Sequence, residues 1–211
     1  MPRTREVPKA EAHPLAQRLY TLLFGDRDPV TDPGTETGTR GDWWTVTAAV
    51  PDMFDHIVGG FSFYRDPKRR ISAQLRELAQ TRTGYARGSQ FVYSQHMKAS
   101  RQVGLSDEKV KNIRSWSSAD CYEPVERVVL AYTDCLVLEG GRVPDELFAQ
   151  LRSHLSDEEI LELTYITCTY DMHATMSKAL RLEYDDVDDR IVEIAAPAGA
   201  NLDAMAVVDN G

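Results

Sequence analysis

Between Ile71 and Gly104 the sequence reads as two helices joined by a short break, and that pair dictates most of what the chain can become. Ile71, Leu75 and Leu78 recur at helical spacing, and Glu77 rides on the same helix. The stretch from Gly84 to Gly88 interrupts the pattern. Ser89 is a residue that caps helix N-termini and Gly104 one that ends helices, so a second helix is expected between them. On it Ser89, Val92 and His96 stand at i, i+3 and i+7, which gives them a common face with His96 about two turns below the Ser89 end. An acid, a hydroxyl and an imidazole are thereby offered to one place.

The rest of the chain is punctuated in the same way, and every recognisable element is helical. Leu15, Leu19 and Leu22 make a short apolar face that ends at Phe24-Gly25, and Asp26 to Asp42 is dense in Pro, Gly, Thr and Asp, which reads as a long loop. Pro51 opens a helix carrying Met53, Phe54, Ile57 and Val58, with Gly59-Gly60 as its expected end. Ser106-Asp107-Glu108 starts another. Glu123-Pro124 starts a helix with Val125, Val128, Val129, Tyr132, Cys135 and Leu136 on its stripe, stopped by Gly140-Gly141. Pro144 precedes a helix with Leu147, Phe148 and Leu151, and Ser156 with Glu159 forms a capping box ahead of a long helix reaching towards Leu180. The expectation is an all-α bundle in a single domain, preceded by a flexible N-terminal leader over residues 1–12 and followed by a C-terminal arm. The organisation reads as leader, short helix and loop over 1–40, a helical domain over 41–195, and a tail over 196–211.

Composition narrows the partners. A net charge of −9 and a pI near 5.1 argue against a nucleic-acid or anionic-membrane surface, because phosphate binding needs a concentrated positive field. No apolar run approaches the ~20 residues that span a bilayer, and the N-terminus lacks the apolar core of a secretory signal, so the expected setting is cytoplasmic. Cys121, Cys135 and Cys168 form no CxxC, which fits reduced thiols, and Cys168 on a mostly apolar helix is expected in the core.

Glu77, eleven residues, Ser89, two residues, Val92, three residues, His96: this spacing resembles the active-site signature of the carboxymuconolactone decarboxylase and AhpD-like superfamily. Redox members of that superfamily carry Glu, Cys, Cys and His at those positions, and here both cysteines are replaced. The resemblance continues through Gly104 to Glu108, Glu126 to Asp134, the run HLSDEEILELTYITCTYDM from His154, and LRLEYDD ending at Asp186, so it covers roughly residues 40 to 195. It implies an AhpD-like helical bundle that assembles as a homo-oligomer, a trimer or hexamer, and the aromatics Trp43, Trp44, Phe61 and Phe63 are candidates for the subunit contact.

A dithiol peroxidase needs a thiolate to attack peroxide and a second thiol to resolve it, so Ser89 and Val92 predict no such turnover. What survives is equipment for moving protons. His96 is a side chain that can take or give a proton, and Glu77, if buried, is expected to have a raised pKa and to act as a general acid. The decarboxylase branch of the superfamily needs no cofactor and works by acid–base chemistry, which implies a small carboxylated or lactone-like substrate here. Glu77, His96 and Ser89 are the catalytic candidates, and Tyr93, Tyr85, His173 and Val92 the candidates for lining the substrate. No HxH, HxxH or HxxxH pair exists, so a metal is expected only if Glu77, His96 and His173 cluster in space. Three rival readings stand beside this one: peroxide chemistry on another cysteine, a scaffold in which Glu77 and His96 merely fix a helix angle, and Ser89 as a simple N-cap. The basic run Arg65, Lys68, Arg69, Arg70 reads as a solvated face, or else as the source of one arginine that enters the pocket and holds a carboxylate.

Overall fold

The structure, a computed structural model, describes residues 1–185 and 191–200. The last residue of the LRLEYDD run and most of the expected C-terminal arm lie outside the described residues. Regular structure among the described residues is wholly helical, and no helix there is long and apolar enough to cross a membrane. The residues fall into two compact units.

The first unit takes in described residues 1–67, 177–185 and 194–200. Its helices are α1 (Pro14–Phe24), α2 (Asp42–Thr47) and α3 (Pro51–Arg65). The buried stripe of α1 is Ala16, Leu19, Tyr20 and Leu23, turned away from the expected Leu15 and Leu22, which are half-buried. Tyr20 causes the turn: its ring is fully buried, and its hydroxyl donates to the Val7 carbonyl at 3.2 Å, so the polar tip is satisfied where the body is apolar. Helix α3 runs straight through Gly59-Gly60, the expected stop, because Phe61 continues the buried row of Phe54, Ile57 and Val58. Burial of that row outweighs the roughly 0.5–1 kcal/mol that each helical glycine costs.

Trp43 and Phe61, expected at a subunit contact, are buried inside this unit, while Trp44 is half-buried with its ring edge against Phe54 and Phe61 at 6.1 and 6.0 Å. The leader has no α-helix and is held at intervals. The Arg3 N–H donates to Leu180 O and the Val7 N–H to Thr45 O, both at 2.9 Å, and Val7 and Ala12 are buried. Glu183 is tied to the start of α2. The Glu183 carboxyl accepts from the Gly41 and Trp43 N–H groups at 2.8 and 2.9 Å, and the Glu183 N–H donates to Asp42 Oδ1 at 2.5 Å.

The second unit takes in described residues 68–176 and 191–193. It contains α4 (Ala73–Ala86), α5 (Gln90–Gln102), α6 (Asp107–Asn112), α7 (Pro124–Val137), α8 (Asp145–His154) and all but the last residues of α9 (Asp157–Leu180). Helix α4 packs on both α5 and α7, and α8 packs on α7. Side-chain oxygens of Ser72, Ser89 and Ser106 accept the N–H three residues on, which caps α4, α5 and α6. Glu123 with Glu126 and Ser156 with Glu159 form the capping boxes of α7 and α9.

Gly84 lies within α4, and the break is confined to Arg87-Gly88, where Gly88 has φ 62°. The inward face of α9 is Ile160, Leu163, Ile166, Thr167, Tyr170, His173 and Ala174. Cys168 falls on the other side and is exposed, so it is not the core residue that its apolar surroundings in sequence suggest. Both sides of this helix carry apolar residues, and the pattern alone does not say which one is buried.

Candidate active site

The α4–α5 hairpin brings Glu77 and His96 together. His96 Nδ1 lies 2.7 Å from Glu77 Oε2, and both side chains are buried. The other carboxylate oxygen, Oε1, accepts from Arg76 Nε and Nη2 at 3.3 and 3.1 Å. Burial alone pushes the Glu77 carboxyl up, but the His96 charge and hydrogen bond together with those of Arg76 outweigh it and hold the carboxyl below its ordinary value. This is the reverse of the direction expected from burial alone. Glu77 is therefore a carboxylate at neutral pH, an acceptor for the Nδ1–H of His96, and the imidazole presents Nε2 as its remaining acid–base atom.

Helix α9 packs against the imidazole. The Tyr170 ring stands edge-on to His96 with centroids 4.3 Å apart, and His173, one turn on, has its ring 5.5 Å from Tyr170. Burial, with His96 adding to it, pushes His173 down to about 4, so this second imidazole is neutral at physiological pH. Ser89 is fully buried at the head of α5, where its Oγ accepts the Val92 N–H at 3.3 Å, and Val92 is buried beside it. Tyr93 is buried and Tyr85 half-buried, with ring centroids 5.9 Å apart, and the Arg82 guanidinium lies 5.3 Å from the centre of the Tyr85 ring. Burial pushes the Tyr93 phenol up, so it keeps its proton.

None of the basic run holds Glu77. Arg69 pairs with Glu162 at 3.1 Å, and the arginine at the carboxylate is Arg76. Adjacent helical residues do not share a face, so no spacing rule singles out Arg76. Gln80 and Thr167 are further residues of this unit that periodicity missed. Both are fully buried, and neither the Gln80 amide atoms nor Thr167 Oγ1 has a hydrogen-bond partner. Gln80 sits one helical turn from Glu77 and Thr167 one turn from Tyr170. Among the described residues no three His, Cys, Asp or Glu side chains are grouped to hold a metal ion. Cys121 and Cys135 are half-buried, and burial raises the thiol pKa of all three cysteines, which leaves little thiolate at neutral pH.

Residues 51–134 match the model of the carboxymuconolactone decarboxylase family. The uncharacterized protein YdfG of Bacillus subtilis (strain 168) is 29% identical over 97 residues, which span 46% of this chain and 66% of that relative, a little under two thirds of its length. A crystal structure of a protein of unknown function from Agrobacterium tumefaciens, proposed to be the antioxidant defence protein AhpD, is 26% identical with a TM-score of 0.54, covering 63% of this chain and 90% of that one. The alkylhydroperoxidase AhpD core of an uncharacterized peroxidase-related protein from Ralstonia eutropha JMP134 has a TM-score of 0.69 at 16% identity, covering 86% and 90% of the two chains. That last likeness is one of fold. The family likeness thus lies in residues 51–134, and the fold is AhpD-like.

Proposed function

We propose that this protein is a cofactor-independent acid–base enzyme, a lyase or isomerase, acting on a small carboxylated or lactone-like organic molecule. The observation that carries the reading is the buried 2.7 Å contact between His96 Nδ1 and Glu77 Oε2. A carboxylate fixed on one ring nitrogen sets the tautomer, orients the ring and stabilises the imidazolium, so that Nε2 can take a proton from carbon or return one. In a decarboxylation the electron pair of the broken C–C bond is left on the substrate as a dienolate, and His96 in its protonated form donates the proton that quenches it. Glu77 stays ionised throughout, balanced by Arg76. Ser89, Tyr93, Tyr85, Val92 and His173 are the proposed surroundings of the substrate, with Ser89 also serving as the α5 cap. The proposal includes a cytoplasmic setting.

The direct test is carbon dioxide release from carboxymuconolactone and related lactone acids, with native mass spectrometry of the purified protein to identify any retained small molecule. His96→Ala and Glu77→Gln are each expected to lower turnover by about 10²–10⁴ with the far-UV circular dichroism preserved. Normal turnover in both folded variants removes the proposal. The description of the Agrobacterium relative favours a second reading, alkylhydroperoxidase activity. It requires hydroperoxide consumption that disappears when all three cysteines are alkylated.

A further inference from the structure

Two buried polar side chains stand close to His96 with nothing in the fold to bond. Gln80 and Thr167 are both 0% exposed, and among the described residues neither the amide nitrogen and oxygen of Gln80 nor the hydroxyl of Thr167 has a hydrogen-bond partner. Folds rarely leave such groups unmade, because each gives up its hydration and receives nothing in return.

Their placement is shared. On α4 and its C-terminal cap, Glu77, Gln80, Gly84 and Arg87 recur at three, four and three residues and form one stripe. Glu77 Oε2 lies 2.7 Å from His96 Nδ1, Gly84 lies against the Tyr93 backbone, and Arg87 Nη2 donates to Asp171 at 2.9 Å, so this stripe follows the seam between α5 and α9. On α9, Leu163, Thr167, Tyr170 and Ala174 make a buried stripe, and the Tyr170 ring centroid is 4.3 Å from that of His96. Both stripes therefore meet at His96, and Gln80 and Thr167 each stand one helical turn from the residue that touches it. The lengthwise register agrees. The Ile71 N–H donates to Glu162 at 3.0 Å at one end of the seam, Arg87 meets Asp171 at the other, and Gln80 and Thr167 fall between those ties.

What the pair would hold follows from what it offers. Gln80 presents a donor and an acceptor side by side, and the Thr167 hydroxyl can serve as either. A carboxylate only accepts, so it would set a negative oxygen against Gln80 Oε1. No cation is at hand to offset that: Arg76 is engaged by Glu77 at 3.1 Å, and His173 is neutral. The complementary group is an uncharged carbonyl with an O–H or N–H donor on the neighbouring atom. If a proton or carbon dioxide leaves the carbon beside that carbonyl, charge moves onto its oxygen, and hydrogen bonds already aimed there strengthen.

We propose that Gln80 and Thr167 are substrate-binding residues of the His96 site: Gln80 Nε2–H and Thr167 Oγ1–H donate to a neutral carbonyl oxygen, and Gln80 Oε1 accepts from the donor beside it. Their effect on rate rests on the acid–base function proposed for His96, whereas binding is measured without turnover. The probes are γ-butyrolactam, which has a carbonyl next to an N–H, and γ-butyrolactone, which has a ring oxygen in place of that N–H. In saturation-transfer NMR titrations of the full chain, the lactam is expected to bind and the lactone to bind about ten-fold more weakly or worse, because one buried acceptor stays unpaired. Gln80→Met and Thr167→Val are each expected to weaken the lactam by about ten-fold or more with far-UV circular dichroism unchanged. Equal affinity for the two probes, no binding of the lactam, or unchanged binding in either folded variant overturns the proposal and leaves the pair to a buried water. The expected probe preference in a protein that turns over no lactone acid would remove the acid–base function and leave this binding site standing.

Discussion

Gly84 lies against the backbone of Tyr93: a Cβ at Gly84 would stand 2.5 Å from the Tyr93 nitrogen and 2.8 Å from its Cα. The α4–α5 hairpin closes to the distance that joins Glu77 to His96 because nothing projects there. Backbone cannot step aside as a flexible side chain can, so Gly84→Ala is expected to destabilise the protein by about 1–3 kcal/mol or more. The measurement is the urea midpoint, and a variant as stable as the parent would show that the hairpin tolerates a wider spacing.

Gly59 gives the opposite sign. It sits inside α3 with nothing within 4 Å of the position a Cβ would take and without a positive φ. Gly59→Ala is expected to stabilise by about 0.5–1 kcal/mol, read as a higher melting temperature. A fall would mean that α3 bends or opens at this point.

Glu183 ties stability to pH. Burial, reinforced by the Asp42 charge, pushes its carboxyl up to about 8, against the pull of the backbone N–H groups of Gly41 and Trp43. The folded chain therefore binds this proton more tightly than the unfolded one, whose carboxyl has the ordinary value of 4.5. The contribution is fully present below the ordinary value and is lost as pH rises through about 8, a change on the order of a few kcal/mol. Melting temperatures at pH 5 and pH 9 are expected to differ in that sense, and Glu183→Gln to flatten the dependence. Glu77 works in the other direction. Its depressed value adds stability above the ordinary carboxylate range that is lost as pH falls below it.

Gln80 and Thr167 hold polar atoms in the interior without a hydrogen-bond partner among the side chains and backbone around them. Thr81, Thr83, Thr133, Thr164 and Thr169 return their hydroxyls to the carbonyl four residues back, and Thr167 does not. Replacing an unpaired buried polar group by an apolar one of similar shape removes a desolvation cost, so Gln80→Met and Thr167→Val are each expected to gain about 1–2 kcal/mol. Calorimetric unfolding measures it, and a loss in either would show that the side chain is hydrogen-bonded in solution.

Local features were legible in the sequence. Ser89, Ser106 and the Ser156–Glu159 box mark helix starts because a cap is a hydrogen bond between near neighbours, and the Glu77–His96 pairing follows from two helices joined by a short turn. What was not legible depends on tertiary burial. Gly59-Gly60 reads as a stop until Phe61 is seen in the core, and the stripe of α1 turns because the buried Tyr20 finds a carbonyl for its hydroxyl. Cys168 was misplaced because α9 is apolar on two sides. The direction of the Glu77 shift needed the positions of His96 and Arg76, which no periodicity supplies.

The Glu77–His96 contact closes a ring of only 19 residues, whereas Arg87 reaches Asp171 across 84 and Arg69 meets Glu162 from the far end of the unit. Short rings close at low entropic cost, and contacts near in sequence form ahead of distant ones. The Glu77–His96 pair therefore closes locally, within one hairpin, whereas Tyr170 and His173 reach it only through a contact distant in sequence.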